Sequence, residues 1–95
     1  MSVEVEHNPG KHRFEVKVEG DVALLEYRIA GKTITMYHTE VPPAAGGQGI
    51  GGKLATAALE YARSQNLTVV PQCSFVADYI RKKPQYADLL TNRAT

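Results

Sequence analysis

Ninety-five residues with 43% hydrophobic content provide for one small domain with one core and exclude a disordered chain. Eleven basic against ten acidic residues leave a net charge of +1, which excludes a general electrostatic affinity for nucleic acid or an anionic membrane. The single cysteine excludes an internal disulfide. No apolar run approaches the ~20 residues of a membrane span, and the start "MSVEVEHNPG" is too polar for a signal peptide. The expectation is a cytoplasmic protein.

The first half of the chain reads as strands. Residues 1–12 are expected as a flexible or edge segment. Phe14, Val16 and Val18 alternate with Glu15, Lys17 and Glu19, a period-2 pattern with one buried face. After the turn signal Glu19–Asp21, Ala23, Leu25, Tyr27 and Ile29 keep the same period. A second turn at Ala30–Lys32 leads to a third strand, Thr33–Val41. Strict alternation puts Ile34, Met36 and His38 on one of its sides and Thr35, Tyr37 and Thr39 on the other. The short connections imply an antiparallel meander. Pro42 and Pro43 end the pattern, because proline cannot donate to a ladder.

Five glycines then fall within the seven residues from Gly46 to Gly52. From Gly51 the period becomes helical: Leu54, Ala57, Ala58, Tyr61 and Ala62 form a stripe of mostly small residues that suits close packing on a sheet. Asn66 is expected to stop this helix in a left-handed conformation. Leu67–Cys73 reads as a short buried strand, and a strand, a crossover helix and a strand favour parallel pairing with Thr33–Val41. Ser74 is the expected N-cap of a last helix, with Val76, Tyr79, Ile80 and Lys83 on related faces. Pro84 suits the first position of a short final helix, "PQYADLL". The order β-β-β-α-β-α predicts an α/β (α+β) fold with a mixed sheet of about four strands.

The glycine loop matches three phosphate-binding patterns at once. Gly47, Gly49 and Gly52 fit G-x-G-x-x-G, but no acidic residue stands where the ribose of a dinucleotide would need one. Gly47, Gly52 and Lys53 fit most of a P-loop, but Leu54 occupies the place of the magnesium-binding hydroxyl. Gly49 and Gly51 fit the G-x-G/A half of an acyl-coenzyme A loop, and this reading suits the context. A loop of exposed amides leading into a helix N-terminus forms an anion site. Two parallel strands that splay beside it would admit an extended pantetheine arm.

"EVPPAAGGQGIGGKL" followed by "VVPQCSFVADYIRKKPQYADLL" resembles the small, stand-alone members of the GNAT N-acetyltransferase superfamily, from about Phe14 to Leu90. The resemblance implies a GNAT-like minimal fold, with residues 1–95 forming a single acetyl-CoA-binding domain. In that superfamily the loop reads R/Q-x-x-G-x-G/A. Gly49 and Gly51 match its second and third fixed positions, while Gly46 stands where Arg or Gln is usual. The implied pyrophosphate cradle is therefore the main chain of Gly46, Gly47, Gln48, Gly49, Gly51 and Gly52. Val41 falls at the strand end that pairs with the pantetheine arm, and Tyr79 falls in the region whose tyrosine protonates the departing CoA sulfur. The short form lacks the helical pair that shapes the acceptor-amine site in larger relatives.

Cys73 lies at a strand end just before a helix start, which favours the thiolate. It is a candidate relay that takes acetyl from CoA before passing it on; the alternative is a buried structural cysteine. His38 is a candidate general base or partner for Cys73, against a hydrogen-bonded core histidine. Glu40 could orient or replace it. Lys53, Arg81, Lys82 and Lys83 could meet phosphates or simply form a solvated basic face. No Cys/His spacing resembles a metal site. The expected function is acetyl-CoA-dependent N-acetyl transfer to an unidentified amine acceptor, by a monomer or homodimer. The alternatives are a non-catalytic CoA-binding or protein-interaction module of the same fold, and a nucleotide-binding fragment.

Overall fold

The computed structural model describes residues 4–18, 20–43 and 49–90. Its sheet has five strands in sequence order: β1 (Glu6–Asn8), β2 (Arg13–Val18), β3 (Asp21–Ala30), β4 (Thr33–Glu40) and β5 (Thr68–Pro71). The first four are antiparallel, and β5 joins β4 in parallel. Helix α1 (Ile50–Ser64) makes that crossover, and α2 (Ser74–Lys82) and a 3-10 helix (Pro84–Leu90) follow β5. The count is one strand more than about four, because Glu6–Asn8 pairs with Arg13–Glu15 as an edge strand. The hairpin turns fall at Gly20 and Gly31, whose φ values of 76° and 60° suit glycine.

Period-2 alternation gives the sheet one apolar face. Phe14, Val16, Ala23, Leu25, Tyr27, Ile34, Met36 and Val69 are buried on it. Both helices and the C-terminal 3-10 helix contribute to the same core through Leu54, Leu59, Val76, Ile80 and Leu89. The α1 stripe is turned slightly from the expected one. Leu54, Ala55, Ala58, Leu59 and Ala62 are buried, whereas Ala57 and Tyr61 are half-buried. Asn66 ends the helix at φ 57°, with Leu67 N–H donating to Ala62 O at 2.9 Å. Among the described residues no helix is long and apolar enough to cross a membrane.

The sheet alternation breaks once. Glu26 pairs with His38 and Tyr27 with Met36, so Tyr37 is an extra residue, a β-bulge in β4. Beyond it the strand is in opposite phase. Thr39 pairs with Leu25 on the apolar face, and His38 pairs with Glu26 on the other. The expectation that His38 shares the face of Ile34 and Met36 is thereby corrected.

At the N-terminal edge, His7 stacks on Phe14 at 4.2 Å between ring centroids, and its Nε2 lies 2.5 Å from the Tyr27 hydroxyl. At the C-terminal 3-10 helix, Arg63 donates to both Asp88 carboxylate oxygens and, at 2.7 Å, to Gln85 O. Tyr86 donates to Glu60 Oε2 at 2.7 Å. The carboxylate acceptor, with burial, pushes the Tyr86 phenol up to about 12 from 10.0. A group raised on folding stabilises fully below its unfolded pKa, so this contribution is present below pH 10 and lost as pH rises through about 12. Burial also pushes the Tyr27 phenol up, so an absorbance titration of the tyrosines should show a late phase that loses one phenol in Tyr86→Phe.

Candidate active site

Strands β4 and β5 pair only from Thr33↔Thr68 to Met36↔Pro71. Two residues past β5, Cys73 N–H makes a further main-chain bond to Met36 O at 3.0 Å. Beyond that point β4 continues to Glu40 along β3, while the segment after β5 turns into α2. Among the described residues no strand covers the far edge of residues 37–40. One cause of the parting is a turn at Gln72: its N–H, on the side from which Thr68 N–H donates to Lys32 O just before β4, instead bonds back to Val70 O at 3.1 Å. The other is helix entry, and the residue at that entry is Cys73, not Ser74 as expected. Cys73 is the N-cap in extended conformation, and Ser74 is the first helical residue.

The Cys73 thiol therefore sits where the strands part, half-buried and free. Its hydrogen-bond partner is the Thr39 hydroxyl, at 3.4 Å from Sγ to Oγ1. Burial pushes the thiol up. The Thr39 hydroxyl and the amides of Val76, Phe75 and Thr39 more than offset this, so the thiol titrates below its ordinary value. The sulfur does not close a full side-chain cap on α2; the helix-start amides act by favouring the charged form. His38 is not part of this group. Its Nε2 lies 3.4 Å from Glu40 Oε1, both side chains exposed on the other face.

The N-terminus of α1 forms the second part of the site. Gly49 caps the helix at φ 70°, without a side-chain cap bond. The intrahelical ladder begins with Lys53 N–H to Gly49 O at 3.0 Å, so the amides of Ile50, Gly51 and Gly52 stand outside it. Gly46, Gly47 and Gln48 lie outside the described residues. Val41 is half-buried just past the end of β4 and packs against the core.

Gly51 and Gly52 have a second role that their pattern does not reveal. A β-carbon at Gly51 would lie 2.7 Å from the Phe75 ring, and one at Gly52 would lie 3.5 Å from the Tyr79 ring. The two glycines let the start of α1 accept two rings of α2, one turn apart. The Tyr79 hydroxyl is hydrogen-bonded to Thr56 Oγ1 on α1, and Lys83 Nζ lies 5.9 Å from its ring centre. The structure thus brings Tyr79 to Gly52 at the start of α1 and gives its hydroxyl a partner on the same helix. Thr39, Phe75 and Thr56 carried no signal in the sequence: each matters through a contact more than 15 residues away. Among the described residues no group of three His, Cys, Asp or Glu side chains could hold a metal ion.

Comparison with known proteins gives consistent matches. The model of the GCN5-related N-acetyl-transferase family matches residues 13–89. Protein NATD1 of Xenopus tropicalis is 36% identical over 94 residues, covering 94% of this chain and 86% of the relative. Protein NATD1 of Homo sapiens is 37% identical over 93 residues, covering 93% and 82%. The NMR structure of a GCN5-like protein from Staphylococcus aureus superposes with a TM-score of 0.72 at 31% identity, covering 90% of this chain and 85% of that one.

Proposed function

The chain belongs to the GCN5-related N-acetyltransferase family, and on that premise we propose that it transfers acetyl from acetyl-CoA to an amine through an acetyl-cysteine on Cys73. The observation that carries the reading is the parting of β4 from β5 beside a thiol held below its ordinary pKa. The chain's own residues fit an acyl-coenzyme A in two respects. The amides of Ile50, Gly51 and Gly52, at a helix N-terminus whose cap residue Gly49 offers no side chain, suit a diphosphate. The open edge of β4 from Tyr37 toward Val41 suits an extended amide-bearing arm.

Acetyl-CoA supplies an activated acetyl thioester. The Cys73 thiolate attacks the thioester carbonyl, forming its own S–C bond as the bond to the coenzyme sulfur breaks. A main-chain N–H near Val41 holds the transient oxyanion. Tyr79 exchanges Thr56 for the departing coenzyme thiolate and protonates it, recovering its proton from solvent. A neutral amine then attacks acetyl-Cys73, releasing the thiolate. The surplus amine proton passes to solvent, because His38, hydrogen-bonded to Glu40, lies on the opposite face of the same strand segment.

A thermal-shift comparison of acetyl-CoA, CoA, ATP and NAD tests the ligand class. A ligand at a hundredfold excess over its Kd adds about 2.7 kcal/mol, roughly 10–20 °C for a domain of this size. Acetyl-CoA and CoA should give such a shift, and a response to ATP or NAD alone would exclude the reading. Binding without turnover across a broad amine panel would identify a non-catalytic CoA-binding module.

A further inference from the structure

In an unbroken β4, His38 would face the core side and Thr39 the open side. The bulge at Tyr37 exchanges them. Thr39 Oγ1 then meets Cys73 Sγ at 3.4 Å across 34 residues of sequence. The Cys73 main chain is fixed to the same strand through Met36 O at 3.0 Å. The sulfur is thus held at both its backbone and its side chain by one strand, on either side of the bulge. A hydroxyl suits this place because it both accepts and donates. It accepts from the neutral thiol and, by rotating its proton, donates to a thiolate. Besides burial, the principal influences on the thiol are that hydroxyl and the amides of Val76, Phe75 and Thr39; none is a charged side chain.

We propose that Thr39 is the positioning residue of the Cys73 thiol, delivered by the β4 bulge, and that its hydroxyl keeps the sulfur hydrogen-bonded as its charge changes during acyl transfer. This role in turnover rests on the acetyl-cysteine reading above. The contact itself is independent of any coenzyme, and so is its test.

Because Cys73 is the only cysteine, the pH dependence of iodoacetamide alkylation reports on this thiol alone. Thr39→Val keeps the shape and removes the hydroxyl. Its profile should move to higher pH, slowing alkylation at neutral pH by roughly 3- to 10-fold, since each pKa unit changes the thiolate fraction about tenfold. Thr39→Ser should restore the native profile. A folded valine variant with an unmoved or lowered profile overturns the proposal, as does a serine variant that behaves like valine. If the valine variant does not fold, the native chain still decides. The Thr39 amide resonance should follow the thiol titration and lose that inflection in Cys73→Ser; a Thr39 amide blind to the thiol overturns it. Failure of acetyl-cysteine formation would show in labelling with acetyl-CoA and leave these readouts unaffected.

Discussion

Cys73→Ala is expected to abolish covalent transfer of an acetyl label from acetyl-CoA to the protein while leaving the acetyl-CoA thermal shift intact. The thiol stands at the parting of β4 and β5, and it is the only cysteine in the chain. Removing it deletes the acyl acceptor but none of the amides at the start of α1 or along the open edge of β4. Intact-mass spectrometry should find one acetyl group on the native chain, lost on treatment with hydroxylamine as a thioester is, and none on the variant. An acetyl group that persists on the alanine variant, resistant to hydroxylamine, would place acylation on an amine and exclude the relay. Loss of both label and thermal shift would mean that the cysteine serves the fold or the binding site instead.

Leu59→Ala should have the largest effect on stability. Leu59 is fully buried in α1, next to Leu54, Ala55, Ala58 and Ala62, on the face turned to the sheet. The small alanines bring the helix close, so neighbouring side chains have little freedom to fill the space that a lost leucine leaves. Such truncations cost about 2–5 kcal/mol, a large part of the ~5–15 kcal/mol that holds a small domain folded. The melting temperature should fall by roughly 10–30 °C. Leu90→Ala is the matched control: Leu90 is 42% exposed, and its truncation should change stability by no more than about 0.5 kcal/mol. A loss below about 1 kcal/mol at Leu59 would show that α1 does not depend on this packing.

Much of the frame could be read locally. Alternation in β2 and β3, the turns at Gly20 and Gly31, the left-handed stop at Asn66 and the parallel return of β5 all follow from neighbours a few residues apart. The short, polar β1 is not legible as a strand from its own residues, because Glu6–Asn8 gains its structure by pairing with β2. Gly51 and Gly52 read as a phosphate loop, and nothing nearby announces the rings of Phe75 and Tyr79 that they also accommodate.

The sequence by itself determined the alternating strands, the small-residue helix, the glycine turn between them and the thiol at a strand end, because each is a short-range pattern of period, backbone freedom or capping. Only the tertiary structure decided which side chain reaches that thiol. A bulge is a count of two residues against one on a partner strand. It reverses the facing of every residue after it, so Thr39 and not His38 meets Cys73.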